Sequence, residues 1–224
     1  MEPAMSSPSP AEITARALLD AGAFLVRPEQ PFRLTSGLLA PFYINCRQII
    51  FHPEARGRIA DAQAVAIDKA LPGDSIEVVA GGVTAGVPFA TMMADRLTLP
   101  LVYVRPEPKG HGLGAQIEGG DVAGRRVLLV EDLITTAGSI LKFVGALRAA
   151  GATVEHVSVV FSRAGEAPLK ALADAGLTLH ALCTLDTLLA AARAAGRVDA
   201  AALADVRAFL ADPEGWSRRR DADS

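Results

Sequence analysis

Short apolar runs alternate with stretches of helical spacing along most of this chain. Residues 127–130, Val-Leu-Leu-Val, are four consecutive apolar positions, the pattern of a strand buried on both faces. Comparable runs predict strands at 76–80, 101–105, 154–161 and 177–184. Helical spacing fills the intervals at 86–96, 140–150 and 167–175, and continues at 185–195 and 199–210. Pro53 opens a further helix over 54–70, which Pro72 and Gly73 close, and a helix over 11–21 stops at Gly22. Strands alternating with helices predict an α/β fold with a central parallel sheet flanked by helices. Two β-like runs, 32–35 and 42–46, lie around Ser36-Gly37 and break the alternation. They predict a β-hairpin in a small N-terminal hood over the sheet edge.

Composition narrows this picture without changing it. The chain has 224 residues, half of them hydrophobic, enough for one sizeable core. A single domain is expected over 11–216, comprising the hood (about 11–50), the core (about 51–184) and C-terminal helices (about 185–211). Residues 1–10 are Ser/Pro-rich and read as a flexible leader without signal-peptide features; 217–224 read as a flexible charged tail. A formal net charge of −3 argues against a general nucleic-acid binder. No apolar run reaches the roughly 18 uncharged residues of a membrane span. Cys46 and Cys183 form no metal-ligand or redox spacing, which suits a reduced, cytoplasmic protein.

The candidate chemistry sits where predicted strands end. Glu131 and Asp132 follow the run at 127–130, and Leu133 and Ile134 lead from them into a turn, Thr135-Thr136-Ala137-Gly138-Ser139, before the next helix. A helix N-terminus presents free backbone N–H groups and a partial positive charge to an anion. A phosphate among residues 135–139 leaves the carboxylates facing a hydroxyl-rich group, so a sugar phosphate fits both halves. A second Gly-rich turn, Gly81-Gly82-Val83-Thr84-Ala85-Gly86-Val87-Pro88, has Val87 where a Walker A loop requires Lys, and it lacks a dinucleotide-binding spacing. What remains is a loop whose N–H groups at Thr84, Ala85 and Gly86 approach an anion closely. Arg105 ends another strand, and the long Gly-rich loop beyond it carries Lys109 and His111, two residues apart and able to reach one anionic group. Arg163 ends the strand after the acid-pair helix, and an Arg there can pair bidentately with a carboxylate.

The apolar run, acid pair, Thr-Thr and Gly-Ser, in register, resemble the phosphoribosyl diphosphate (PRPP) signature of the type I phosphoribosyltransferases. Arg105-x-x-x-Lys109-x-His111-Gly112, with Phe32-Arg33-Leu34-Thr35-Ser36-Gly37 and Pro41-Phe42-Tyr43-Ile44-Asn45, is similar to the catalytic loop and hood of the orotate phosphoribosyltransferases. The resemblance implies the type I phosphoribosyltransferase fold and transfer of a phosphoribosyl group from PRPP to orotate. It assigns Glu131 and Asp132 to the ribose, residues 135–139 to the 5-phosphate with Leu133 and Ile134 also in the PRPP site, and 84–86 to the diphosphate. Arg105, Lys109 and His111 would act on the leaving diphosphate, with Lys109, His111 and Asp132 as the catalytic residues. It assigns Arg163, with Thr135, to orotate; Tyr43 and Ile44 are aromatic and apolar residues that could stack on a flat pyrimidine or equally form hairpin core. It further implies Mg²⁺ carried by the diphosphate rather than held by protein ligands, and a homodimer whose lid loop reaches the neighbouring site. The chain departs from some relatives at Thr35, Ala85 and Pro106, where they carry basic residues. A different acceptor base, or a PRPP sensor without catalysis, is the alternative.

Overall fold

The computed structural model describes residues 8–34, 36–73, 75–107 and 116–222. Helix α1 (Pro10–Asp20) starts sharply because Ser9 and Glu12 form a reciprocal capping box and Pro10 takes the first helical position. The expected leader is therefore structured at its end. Strands β1 (Phe24–Val26), β2 (Phe32–Arg33), β3 (Leu39–Ala40) and β4 (Phe42–Ile44) follow. The pairing of the hood differs from the expected hairpin. β2 pairs with β3 across Ser36-Gly37, whereas β4 pairs antiparallel with β1, placing Tyr43 opposite Leu25. The apolar pattern marked the 42–46 run as a strand, but its partner is a three-residue strand too short to stand out from the helix before it.

Helices α2 (Gln48–Phe51) and α3 (Pro53–Ala70) lead into the core. There the order is β5 (Val78–Gly82), α4 (Gly86–Leu97), β6 (Leu101–Val104), β7 (Ile117–Glu118), β8 (Arg126–Ile134), α5 (Gly138–Ala149), β9 (Thr153–Ser162), α6 (Glu166–Asp174) and β10 (Thr178–Thr184). The sheet order is β10-β9-β8-β5-β6-β7, parallel except for β7, which pairs antiparallel with β6 inside the segment expected to be all loop. β8 is central and buried on both faces, which is why its sequence is a continuous apolar run. Leu128 and Val130 face a layer built from α1, α3, α4 and the C-terminal helices; Val127 and Leu129 face α5 and α6. Gln63 of α3 donates to Ser158 of β9 at 2.8 Å, satisfying two buried polar groups between these layers.

The C-terminal helices α7 (Leu185–Ala194), α8 (Ala200–Ala211) and α9 (Pro213–Ala222) carry the hood. Residues 217–222 are helical rather than a flexible tail. Ser217 is buried and its Oγ accepts from the Leu39 N–H at 2.9 Å, and Arg33 pairs with Asp221 at 3.0 Å. Trp216 packs edge-on to Phe209, which packs edge-on to Phe42 of β4, with centroids 5.6 and 5.8 Å apart. The tail looked unstructured because its residues are mostly charged, and the contacts that order it, Ser217 with Leu39, Asp221 with Arg33 and Arg220 with Asp205, are made with residues distant in the chain.

Candidate active site

β8 runs through the acid pair to Ile134 instead of ending before it, and this decides what the two carboxylates do. Successive side chains of a strand point to opposite faces. Glu131 lies against the β5–α4 turn on the α5 side. A Cβ on Gly86 would come within 2.6 Å of Glu131 Oε1, and one on Gly82 would collide with both that oxygen and the Phe143 ring. Asp132 faces the hood, where the Arg47 guanidinium approaches its Oδ2 at 3.8 Å and Cys46 lies nearby. Both acids are buried, with 6 % and 7 % exposure, and Glu131 Oε1 has no hydrogen-bond partner among the described residues.

Burial raises both carboxyl pKa values. For Glu131, burial and the adjacent Asp132 charge lift the pKa to about 8, against opposition from backbone groups and Arg47. For Asp132 burial also dominates, with the Leu133 N–H (2.8 Å) and Arg47 pulling the other way. A hydroxyl-rich ligand that donates to these oxygens relieves both groups, because it supplies the hydrogen bonds that burial removed.

Two helix N-termini flank the pair. α5 starts just after Ala137 and α4 just after Ala85, and neither has a side-chain cap, as is also true of α2, α3 and α6, whereas α1, α7 and α8 are capped by Ser9, Thr184 and Asp199. The first N–H groups of α4 and α5 are left to bind a ligand. Because β5 and β8 are adjacent parallel strands, both turns open at one edge of the sheet. Thr84 and Thr136 are exposed there, Thr135 is half-buried, and Gly138 and Ser139 are exposed. The Val83–Thr84 peptide is cis. Ile134 and Ala137 are buried in the α5-side core, so at these positions only the backbone faces a ligand.

Arg163 lies at the same edge. Its N–H donates to the Ile134 carbonyl at 2.9 Å, and its guanidinium sits 5.4 Å from the Phe42 ring centroid. No carboxylate pairs with it among the described residues, and desolvation lowers its pKa. Arg105, by contrast, is engaged: its Nε and Nη2 both lie 3.0 Å from Glu118 Oε1, while the Tyr103 hydroxyl donates to Glu118 Oε2 at 2.7 Å. Lys109 and His111 lie outside the described residues.

The chain matches the phosphoribosyl transferase domain over residues 50–180. It is 47 % identical over 212 residues to an orotate phosphoribosyltransferase of Cereibacter sphaeroides, covering 94 % of this chain and 91 % of that protein. The chain belongs to the orotate phosphoribosyltransferase family. Solved structures agree. The orotate phosphoribosyltransferase of Aeropyrum pernix superposes with a TM-score of 0.66 at 34 % identity, over 83 % of this chain and 99 % of that one. The UMP synthase of Leishmania donovani gives 0.74 at 28 % identity, over 90 % of this chain and 42 % of that longer one. The type I phosphoribosyltransferase fold expected from the sequence is the fold observed, a mixed sheet of mostly parallel strands with an antiparallel hood.

Against this family frame, the structure brings residues 131–139, the turn at 84–86 and Arg163 to one edge of the sheet. It separates Tyr43 from them: the Tyr43 ring lies 5.6 Å from Phe32, on the opposite face of β4 from Phe42 and Ile44. Two neighbours of the site were not singled out as site residues by the sequence. Phe42, which holds Arg163, is marked only by strand alternation. Arg47 reaches Asp132 across 85 positions of chain, from the residue preceding a four-residue helix.

Proposed function

We propose that the protein transfers the 5-phosphoribosyl group of PRPP to orotate, forming orotidine 5′-monophosphate and diphosphate in de novo pyrimidine synthesis. The observation that carries this reading is the buried acid pair set between two uncapped helix N-termini at one sheet edge. That arrangement matches a ligand with a phosphate at one end, hydroxyls in the middle and a second anionic group beyond. The α5 N-terminus and residues 135–139 take the 5-phosphate. Asp132 and Glu131 take the ribose hydroxyls and face the positive charge that grows on the ring as the anomeric bond breaks. The turn at 84–86 receives the diphosphate. Fixed charges and dipoles aimed at developing charge lower the barrier without reorganisation.

Among the described residues no three His, Cys, Asp or Glu side chains cluster to cage a metal. Mg²⁺ is proposed to arrive on the diphosphate, since magnesium keeps several waters and favours phosphate oxygens. When bound it would neutralise part of the departing charge. Lys109 and His111, with Arg105 once it leaves Glu118, are proposed to stabilise the diphosphate as the loop closes and excludes water. We further propose a homodimer in which each lid serves the neighbouring site, and action in the cytoplasm, where the free, buried Cys46 and Cys183 stay reduced.

The direct test is incubation with PRPP, Mg²⁺ and orotate, following the loss of orotate absorbance. Turnover only with adenine, hypoxanthine or uracil rejects orotate as the acceptor, and PRPP binding without turnover of any base indicates a sensor. Arg163 supplies a sharper check. Its guanidinium is a desolvated cation without an acidic partner among the described residues, as a carboxylate-bearing base requires. Arg163→Ala is expected to raise the KM for orotate by about tenfold to a hundredfold, with the KM for PRPP much less affected. Equal rises in both constants would remove Arg163 from acceptor recognition.

A further inference from the structure

We propose that Arg47 is a donor-site residue that exchanges partners during the reaction, leaving Asp132 for the diphosphate of PRPP as the ribose hydroxyls take its place. This inference rests on the phosphoribosyl-transfer reading. Asp132 is buried with 7 % exposure, yet the Arg47 side chain that faces it is 68 % exposed and meets it at 3.8 Å, beyond hydrogen-bond length. The contact is a loose ion pair between a fixed acid and a long side chain rooted in the hood. Such a pair forms and breaks readily. The Arg47 side chain makes no hydrogen bond to any described residue; only the residue's carbonyl is used, accepting from the Ile50 N–H at 3.1 Å. It stands just before α2, with no side-chain cap to tie it down.

A ribose approaching Asp132 must displace the guanidinium, because both seek the same carboxylate oxygens. The displaced cation is already beside a ligand that carries a diphosphate, and guanidinium pairs bidentately with phosphate oxygens. The other cations at this edge are differently placed. Arg105 is bound twice to Glu118, and Arg163 lies on the Phe42 ring. Among the described residues Arg47 is therefore the cation paired with the acid pair, and its 3.8 Å contact is longer than the 3.0 Å contact of Arg105 with Glu118.

The groups facing Asp132 determine the pH signature of this role. They are Glu131 on its own strand, Arg47 and the Cys46 thiol from the hood, and the Leu133 N–H; Cys183 lies beside Cys46. Both thiols are pushed up by burial and stay neutral, so Arg47 is the positive charge that opposes protonation of the acid pair. Removing it shifts both carboxyl groups further upward.

The test compares the full-length wild type with Arg47→Ala and Arg47→Lys in steady-state turnover of PRPP and orotate between about pH 6 and pH 9. For Arg47→Ala the KM for PRPP is expected to rise by about tenfold or more, with the KM for orotate within about twofold. The acidic limb of kcat/KM for PRPP is expected to move up by about half a pH unit. Arg47→Lys should recover part of the affinity and most of the limb. An unchanged PRPP constant and limb, or equal losses for both substrates with an unmoved limb, would overturn the proposal. Should the wild type fail to turn over orotate, the acceptor reading fails separately. Calorimetric binding of Mg²⁺-PRPP to wild type and Arg47→Ala then decides the role of Arg47, equal affinities refuting it.

Discussion

Glu131→Gln is expected to cost at least two orders of magnitude in kcat while making the ligand-free protein harder to unfold at neutral pH. The two effects share one cause. Glu131 is buried beside Asp132, one of its oxygens lacks a hydrogen-bond partner among the described residues, and its pKa stands at about 8. An unfolded glutamate titrates near the ordinary value of 4.5. Between these values the native state holds a proton that the unfolded state has released. Its contribution is fully present below about 4.5 and is lost as pH rises through about 8, so stability declines with pH across that window. Gln cannot ionise and removes this dependence. At pH 7 the gain should be about 3 kcal/mol, or a rise in Tm of roughly 9 °C for a chain of this size. In the proposed catalysis the sign reverses, because the hydroxyls and growing positive charge of the substrate would draw Glu131 into its charged form, which Gln lacks. Losing one preorganised electrostatic partner of a transition state reduces rates by about 10²–10³. Thermal unfolding at pH 5 and pH 8, together with kcat, checks both halves. A variant with normal turnover, or with the wild-type dependence of Tm on pH, would refute this account of Glu131.

Gly82→Ala should be nearly as damaging by a different route. The Cβ has no room: it would meet the Glu131 carboxylate and the Phe143 ring at distances that real Cβ atoms do not show. Gly82 ends β5, in the sheet interior between β6 and β8, so backbone retreat would disturb both ladders. Relief must come from Glu131 or Phe143, and moving the former dismantles the acid pair. Overpacking at such a site destabilises by about 3 kcal/mol, and turnover should fall by at least a hundredfold. Gly145→Ala in α5 is the control, since a Cβ there meets nothing within 4 Å. It should leave turnover intact and raise stability slightly through helix propensity. Wild-type activity in Gly82→Ala would show that Glu131 is not held where the structure puts it.

The placement of the glycines illustrates how unevenly the site was legible. Strand–turn–helix order, the acid pair, the two Gly-rich turns and Arg163 are all local patterns, each complete within about a dozen residues. The need for Gly at 82 and 86 is not local, because the atoms that exclude a side chain belong to Glu131 and Phe143 at the first position and to Val130 and Glu131 at the second, more than 40 positions away. The same holds for the hood. Its strands β2 and β4 were visible as apolar runs but β1 and β3 were not, because two- and three-residue strands carry little pattern, and the expected hairpin joined the wrong pair. The edge strand β7 was hidden within a Gly-rich segment for the same reason. The terminal helix α9 was masked by its own surface charges, because its anchors, Ser217 and Trp216, act through contacts with Leu39 and Phe209.

Periodicity and local chemistry therefore determined the α/β class, the order of the core elements and the kind of ligand, a sugar phosphate, because each depends on residues that are neighbours in the chain. Tertiary structure alone decided that β8 continues through the acid pair and divides it, with Glu131 against the glycine turn and Asp132 toward the hood. It also brought Arg47 to Asp132 and Phe42 beneath Arg163. Those assignments depend on burial and on contacts between distant segments, and a pleated strand sends adjacent acids to opposite faces only where its hydrogen bonds keep it a strand.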